Sequence, residues 1–345
     1  MKKTYVAGSL MLVMALMMAG CGGGDKKPDA PKKDAPKAAA ATDTVMLYSS
    51  MQEDQLNAVK KAFEKKYPNI KMDYYFAGTG KVKTKIFTEA KGGQVAADVI
   101  WVGDPADYIG FKADGKILQK YESPEAKNID KAFIDPEGFY TGARMMNMGI
   151  AYNTANVKGD DIPKTWGDLL NKKWEGALVM TDPNTAGTTK YWRNAMMANE
   201  KYGLKFFEGL KANGCKMESG TTATHNQVAA GEYDVGVCLD YVTANIKEKG
   251  SPIEFVYPED TVSIFSPIGI VKDAKNMENA KLLYDFILSQ EGQEIIVAQN
   301  LLSVRKGVKQ NADVAAIGAK AMASNMKDVV AKEDESKAAF DKLFR

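Results

Sequence analysis

The stretch TDPNTAGTTKYWRNAMM, residues 181–197, sets three threonines and a glycine at the point where a helix must begin. A strand end precedes it, Pro183 and Asn184 turn the chain, and an amphipathic helix follows. Helix N-termini carry partial positive charge and unpaired N–H groups, which suits an anion. Hydroxyls add donors there without adding bulk. The chemistry on offer is the capture of a negatively charged group, with Asp182, Thr185, Gly187, Thr188 and Thr189 as candidates.

Similar junctions recur along the chain. Ser49 and Ser50 follow a first strand, Gly78, Thr79 and Gly80 a second, and Gly103 and Asp104 a third. Further on come Gly220, Thr221 and Thr222, then Asp240 and Tyr241. In open wound sheets the ligand lies outside the carboxyl ends of the strands, so these junctions form one candidate ligand-binding set. Any single Ser, Thr or Asp here reads first as an ordinary helix cap. The joint pattern, small residues with hydroxyls on both halves, carries the reading.

Catalytic patterns fit less well. GTGK at 78–81 has Tyr75 where a Walker loop needs its first glycine and Val82 where it needs Ser or Thr. Lys83 stands where a dinucleotide fingerprint needs its third glycine. His225 is the only histidine, which excludes a histidine zinc cluster and reads as structural. A hydrolase survives only because glycosidases need little more than two carboxylates. No catalytic residue is assigned, and the expectation is a protein that is not an enzyme and holds no cofactor.

The elements that must position these residues alternate. Residues 45–49 and 70–76 read as strands around a helix with Leu56, Val59 and Phe63 on one face. A third strand, ADVIWV, follows another helix, as in a parallel wound α/β sheet. A second series runs from GALVMTD to YDVGVCL. FYTGARMMNMGIAYN and VSIFSPIGIVKDA are extended and lack helical period, and NAKLLYDFILSQEGQEIIVAQN gives two helices around Gly292. CKMES and YDVGVCL read as neighbouring parallel strands whose register sets Cys215 and Cys238 about 10 Å apart. That exceeds the reach of a disulfide, about 7 Å between Cα atoms, so two free buried cysteines are expected. The fold class is α/β, two lobes with two wound sheets joined by extended crossing segments.

With 345 residues, the chain has room for about two domains or lobes. Lys plus Arg number 46 against 44 Asp plus Glu, a net charge of +2 that excludes a nucleic-acid footprint. The opening MKKTYVAGSLMLVMALMMAGC has a basic start, a short apolar run and small residues before Cys21, as in a cleaved signal. Its ending resembles a bacterial lipoprotein signal, in which that cysteine is acylated, with Met18 in place of the usual leucine. The Gly-, Pro- and Lys-rich run that follows reads as a flexible tether.

From about Val45 to Val308 the chain resembles the periplasmic solute-binding proteins of ABC importers, in the group of ferric-iron, phosphonate, thiamine and sugar-phosphate binders. The likeness rests on VMLYSS, FAGTGKVKTKI, ADVIWVGDPADY, GIAYN, IPKTWGDLLNKKWEGALVMTDP, GEYDVGVCLDY, SPIGIVKDAKNMENAKLLYDFILSQEGQ and SVRKGV. It implies a two-lobed clamp, the type II-like periplasmic-binding-protein fold, with its hinge near Arg144 and Phe265. The expected division is a signal peptide (1–20), a tether (21–43), lobe 1 (44–142), lobe 2 (143–262) and a return to lobe 1 (263–308). Helices at 309–345 have no lobe assigned. An organic phosphate or phosphonate would use Ser49, Ser50, Thr79, Thr185, Gly187, Thr188 and Thr189, with Asp104 and Asp240 accepting from sugar hydroxyls or an amine. Ferric iron with a synergistic anion is the alternative, and would use Tyr241 and Asp240 as metal ligands. Against it, Met51 and Gln52 stand where iron binders usually have histidine, and the tyrosine pair is reduced to one. The implied partners are a permease, an ATPase and a membrane reached through lipid on Cys21. The implied place is the periplasm or outer cell surface, and the expected state a monomer.

Overall fold

The structure, a computed structural model, describes residues 43–323 and 326–345. The signal peptide, Cys21 and all but the last residue of the tether lie outside the described residues. Among the described residues no helix is long and apolar enough to cross a membrane.

The first lobe follows the expected alternation: β1 (Asp43–Ser49), α1 (Glu53–Lys66), β2 (Ile70–Phe76), α2 (Thr79–Lys91), β3 (Val99–Trp101) and α3 (Pro105–Asp114). Leu56, Val59 and Phe63 are buried on α1, and Glu53, Asp54, Lys65 and Lys66 lie at the ends that favour their charges. After the short β4 (Leu118–Gln119), the chain enters β5 (Thr141–Asn153), buried along nearly its whole length.

The second lobe winds through β6 (Leu178–Thr181), α4 (Gly187–Ala198), α5 (Gly203–Ala212) and β7 (Lys216–Glu218). It continues with α6 (Thr221–Ala230), β8 (Val235–Leu239), α7 (Asp240–Glu248) and β9 (Ile253–Val256). β10 (Val262–Val271) crosses back to α8 (Met277–Leu288) and α9 (Gln290–Val297). The chain closes with α10 (Val314–Ala319), α11 (Met326–Ala331) and α12 (Glu333–Phe344).

The two wound sheets are halves of one ten-stranded ladder, ordered β2-β1-β3-β10-β5-β8-β6-β7, with β4 on β10 and β9 on β5. β5 and β10 pair antiparallel, and each also pairs with one wound half. The register between them shifts at Ser266/Pro267, opposite Arg144 and Gly142. Proline has no N–H to give to a ladder, so the bend falls between the lobes, where the sequence suggested a hinge.

Three expectations are corrected. β7 and β8 are not neighbours, because β6 lies between them and pairs parallel with both. Cys215 and Cys238 are both free and buried, as expected, but a whole strand separates them. The break between α8 and α9 falls at Ser289, not Gly292. The Ser289 hydroxyl accepts from Gly292 N–H, and a methyl on Gly292 would meet the Phe286 carbonyl oxygen at 2.1 Å. Glycine there lets the second helix turn tightly off the first.

The C-terminal α11 and α12 pack on α4 and α5 of the second lobe. Phe340 is fully buried, edge-on to Phe207 at 5.6 Å between ring centroids.

Candidate functional site

The carboxyl ends of the wound strands face a cavity of about 220 Å³ between the lobes. That is below the roughly 300–1,000 Å³ of drug-sized sites and suits a small solute. Among the helices that start at its wall are α2, α4 and α6, after N-cap residues Gly78, Ala186 and Gly220. None of these caps has a side chain that binds the helix's first N–H groups. Those donors are free for a ligand, whereas at α3 the Asp104 carboxylate already accepts from Ala106 N–H.

Of the candidate residues, Ser50, Thr79, Thr185, Gly187, Thr188, Thr221 and Tyr241 line the cavity. The Ser50 hydroxyl accepts from Gly103 N–H at 3.1 Å, and the Thr185 hydroxyl donates to the Asp182 carbonyl at 3.0 Å. Gly78, Gly103, Gly220 and Thr222, from the same junctions, also belong to the wall.

The other candidates lie outside the wall, each for a visible reason. Ser49 is buried, donating to the Trp101 carbonyl at 2.7 Å and accepting from Met51 N–H. Gly80 faces the Asn184 carbonyl. Thr189 is buried within α4. Asp182 organises its turn, accepting from Asn184 N–H, and pairs with Arg345 at 2.6 Å. Asp104 pairs with Lys190 at 2.7 Å. Asp240 accepts from Asn147 N–H, Asn147 Nδ2, Tyr241 N–H and the Tyr257 hydroxyl.

Among the described residues no carboxylate lines the cavity, and its one formal charge is Arg144. This guanidinium is 2% exposed and lies over the Trp101 ring, 5.3 Å from its centroid. Its Nε and Nη1 are buried without hydrogen-bond partners. Burial pulls its pKa below the ordinary value, while Tyr241 and Tyr108 act the other way. An arginine does not lose its proton under such conditions, so a buried cation waits at the cavity wall. Burial likewise raises the Tyr241 phenol, with Arg144 opposing and Asp240 and Asp54 adding to the rise.

Sequence reasoning placed Arg144 only at the crossing. A lone charge inside TGARMMNMG, a strand otherwise small and largely apolar, was the available signal. Gln52, Phe76, Met146, Ser219 and Leu239 also line the wall and carried no such signal.

His225 is structural. Leu239 N–H donates to its Nε2 at 2.9 Å, so Nδ1 carries the proton and donates to the Thr221 carbonyl at 2.7 Å. The ring ties the start of α6 to the end of β8, and burial pushes its pKa down to about 4.

A profile of the bacterial extracellular solute-binding protein family matches residues 105–326. An uncharacterized protein of Haemophilus influenzae is 31% identical over 268 residues, covering 74% of this chain and 76% of its own length. Iron uptake protein A1 of Synechocystis is 26% identical, over 91% of this chain and 87% of its own. The periplasmic binding protein AfuA from Actinobacillus pleuropneumoniae, solved with exogenous fructose-6-phosphate bound, superposes with a TM-score of 0.77. It shares 27% identity and covers 88% of this chain and 98% of its own.

Proposed function

The chain belongs to the bacterial extracellular solute-binding proteins, and from that premise we propose that it captures an organic phosphate with a neutral, hydroxyl-bearing body. A sugar phosphate is the type. The solute would be held between the lobes and passed to the permease and ATPase of an ABC importer. Acylated Cys21 and the tether would keep the body at the membrane surface.

Arg144 carries the ligand class. A buried guanidinium with unpaired N–H groups is costly until an anion meets it, and charge-assisted bonds to phosphate are the strong kind. The uncapped starts of α2, α4 and α6 act in the same direction. An aminoalkyl phosphonate would bring an ammonium group, and the carboxylates that could meet it, Asp104 and Asp240, are engaged elsewhere. Gln52, Ser219 and Thr222 suit sugar hydroxyls instead. The relative solved with fructose-6-phosphate supports this reading.

Iron draws support from the relative named for iron uptake. Yet Tyr241 and Asp240 divide between cavity and interior, and among the described residues no group of three or more His, Cys, Asp or Glu could hold a metal.

Thermal denaturation of the full chain separates the readings. Glucose 6-phosphate or fructose 6-phosphate at 100 times its dissociation constant is expected to add about 2.7 kcal/mol of stability. 2-Aminoethylphosphonate and ferric citrate are expected to add less. A shift with ferric citrate alone would overturn the organic-phosphate reading.

A further inference from the structure

Beside the cavity the two lobes touch through glycines. Gly78 and Gly80 open α2 of the first lobe. A methyl group on either would stand 2.9 Å from a backbone carbonyl oxygen of the second lobe, that of Thr185 or of Asn184. Gly187 opens α4 of the second lobe, and a methyl there would stand 2.8 Å from the Thr79 side chain. None of the three has the left-handed backbone that demands glycine. What excludes a side chain at Gly78 and Gly80 is the facing lobe, since the nearest atoms to an added methyl all belong to it. Lys190 of α4 crosses the same seam to Asp104 at 2.7 Å and Asp107 at 2.6 Å. Gln52 Nε2 crosses the cavity mouth to donate to the Thr222 hydroxyl at 3.2 Å.

We propose that Gly80, with Gly78 and Gly187, sets the clamp's affinity by permitting closure: bare backbone at this seam lets the two helix starts meet. Gly80 is a positioning residue, since it lies outside the cavity wall. An alanine there fits its own lobe and props the cleft open. The inference rests on the clamp reading and not on which solute is bound. A ligand that touches both lobes shifts the equilibrium between open and closed forms, so a variant that raises the energy of the closed form alone loses affinity.

The test compares Gly80→Ala with Gly110→Ala in the full chain. Gly110 lies inside α3, where an added methyl meets only the Phe87 ring at 3.9 Å, an ordinary contact. Both alanines favour a helix over glycine, so neither is expected to lower the melting temperature of the unliganded chain. Glucose 6-phosphate and ferric citrate are titrated into each, and small-angle scattering is recorded with and without them. The expected result is wild-type affinity for Gly110→Ala and at least tenfold weaker binding for Gly80→Ala, with its ligand-induced compaction lost. Wild-type affinity in Gly80→Ala would overturn the proposal. So would loss of its cooperative melting transition, which would mean that the glycine serves its own lobe. Should neither probe bind the wild type, the solute reading fails separately. The unliganded scattering then decides the seam, with a larger radius of gyration for Gly80→Ala supporting it and coincident curves refuting it.

Discussion

At the scale of single residues, the cavity is defined by one buried cation whose Nε and Nη1 lack hydrogen-bond partners. Arg144 is a cost to the folded chain and a gain to an anionic ligand, so its two effects separate by substitution. Arg144→Met keeps a long apolar stem and removes the charge. A hydrogen bond to a charged group contributes about 1.5–3 kcal/mol, so affinity for an organic phosphate should fall roughly ten- to a hundredfold or more. The melting temperature of the unliganded chain should hold or rise, because replacing a buried, uncompensated charge by an apolar side chain removes its desolvation penalty. Isothermal titration and thermal denaturation read the two effects. A fall in both would make Arg144 a structural residue.

Among the elements, α12 holds the turn before α4 from behind. Asn184 Nδ2 donates to Asp341 at 2.9 Å, and Arg345 pairs with Asp182 at 2.6 Å, both from the end of the chain to the turn before α4. The surface charges in these contacts contribute little stability by themselves. The anchor is Phe340, buried beside Phe207 and stacked on Phe344 with 4.5 Å between centroids. Phe340→Ala should cost about 3–5 kcal/mol, the usual price of deleting a buried aromatic ring. Chemical denaturation should show this as a lower midpoint with an unchanged slope. A cost below about 1 kcal/mol would mean that α12 is only loosely docked.

For the whole molecule, buried ionisable groups make stability depend on pH with competing signs. Burial holds His225 down to about 4, so between that value and its ordinary 6.5 the unfolded chain binds the extra proton. Stability therefore falls as pH drops through that window, by about 3 kcal/mol in full at about 1.4 kcal/mol per pH unit. Asp104 and Asp240, pushed up to about 6 by burial, act oppositely, since in the folded chain they take up protons first. Lys190 works against the rise at Asp104, as hydrogen bonds from Asn147 do at Asp240. The histidine's part is the difference between wild type and His225→Gln, which should lose less stability from pH 6.5 to 4.5. Parallel profiles for the two would refute a buried neutral His225. Within the cross-lobe cluster, Lys190 keeps its proton through this range while Asp104 takes one up. Burial disfavours the Lys190 ammonium, but Asp104, Asp107 and Glu333 outweigh it and hold the proton well above the usual lysine range.

Local pattern alone determined the strand–helix order, the extended crossings and the threonine junctions, because periodicity and turn residues act over a few neighbours in the chain. It therefore named Thr79, Thr185, Thr188 and Thr221, which line the cavity. Tertiary structure decided what distant partners decide. Strand adjacency is settled by pairing across the sheet, which placed β6 between β7 and β8. Side-chain direction is settled by the nearest counter-charge or donor, which drew Asp104 to Lys190 and Asp240 to Asn147, away from the cavity. Arg144 found no carboxylate among the described residues, only the Tyr241 phenol, and with Nε and Nη1 unsatisfied it was left facing the cavity. Gly80, in sequence one more candidate beside a phosphate-like turn, became a contact between lobes only once Asn184, over a hundred residues away, was folded against it.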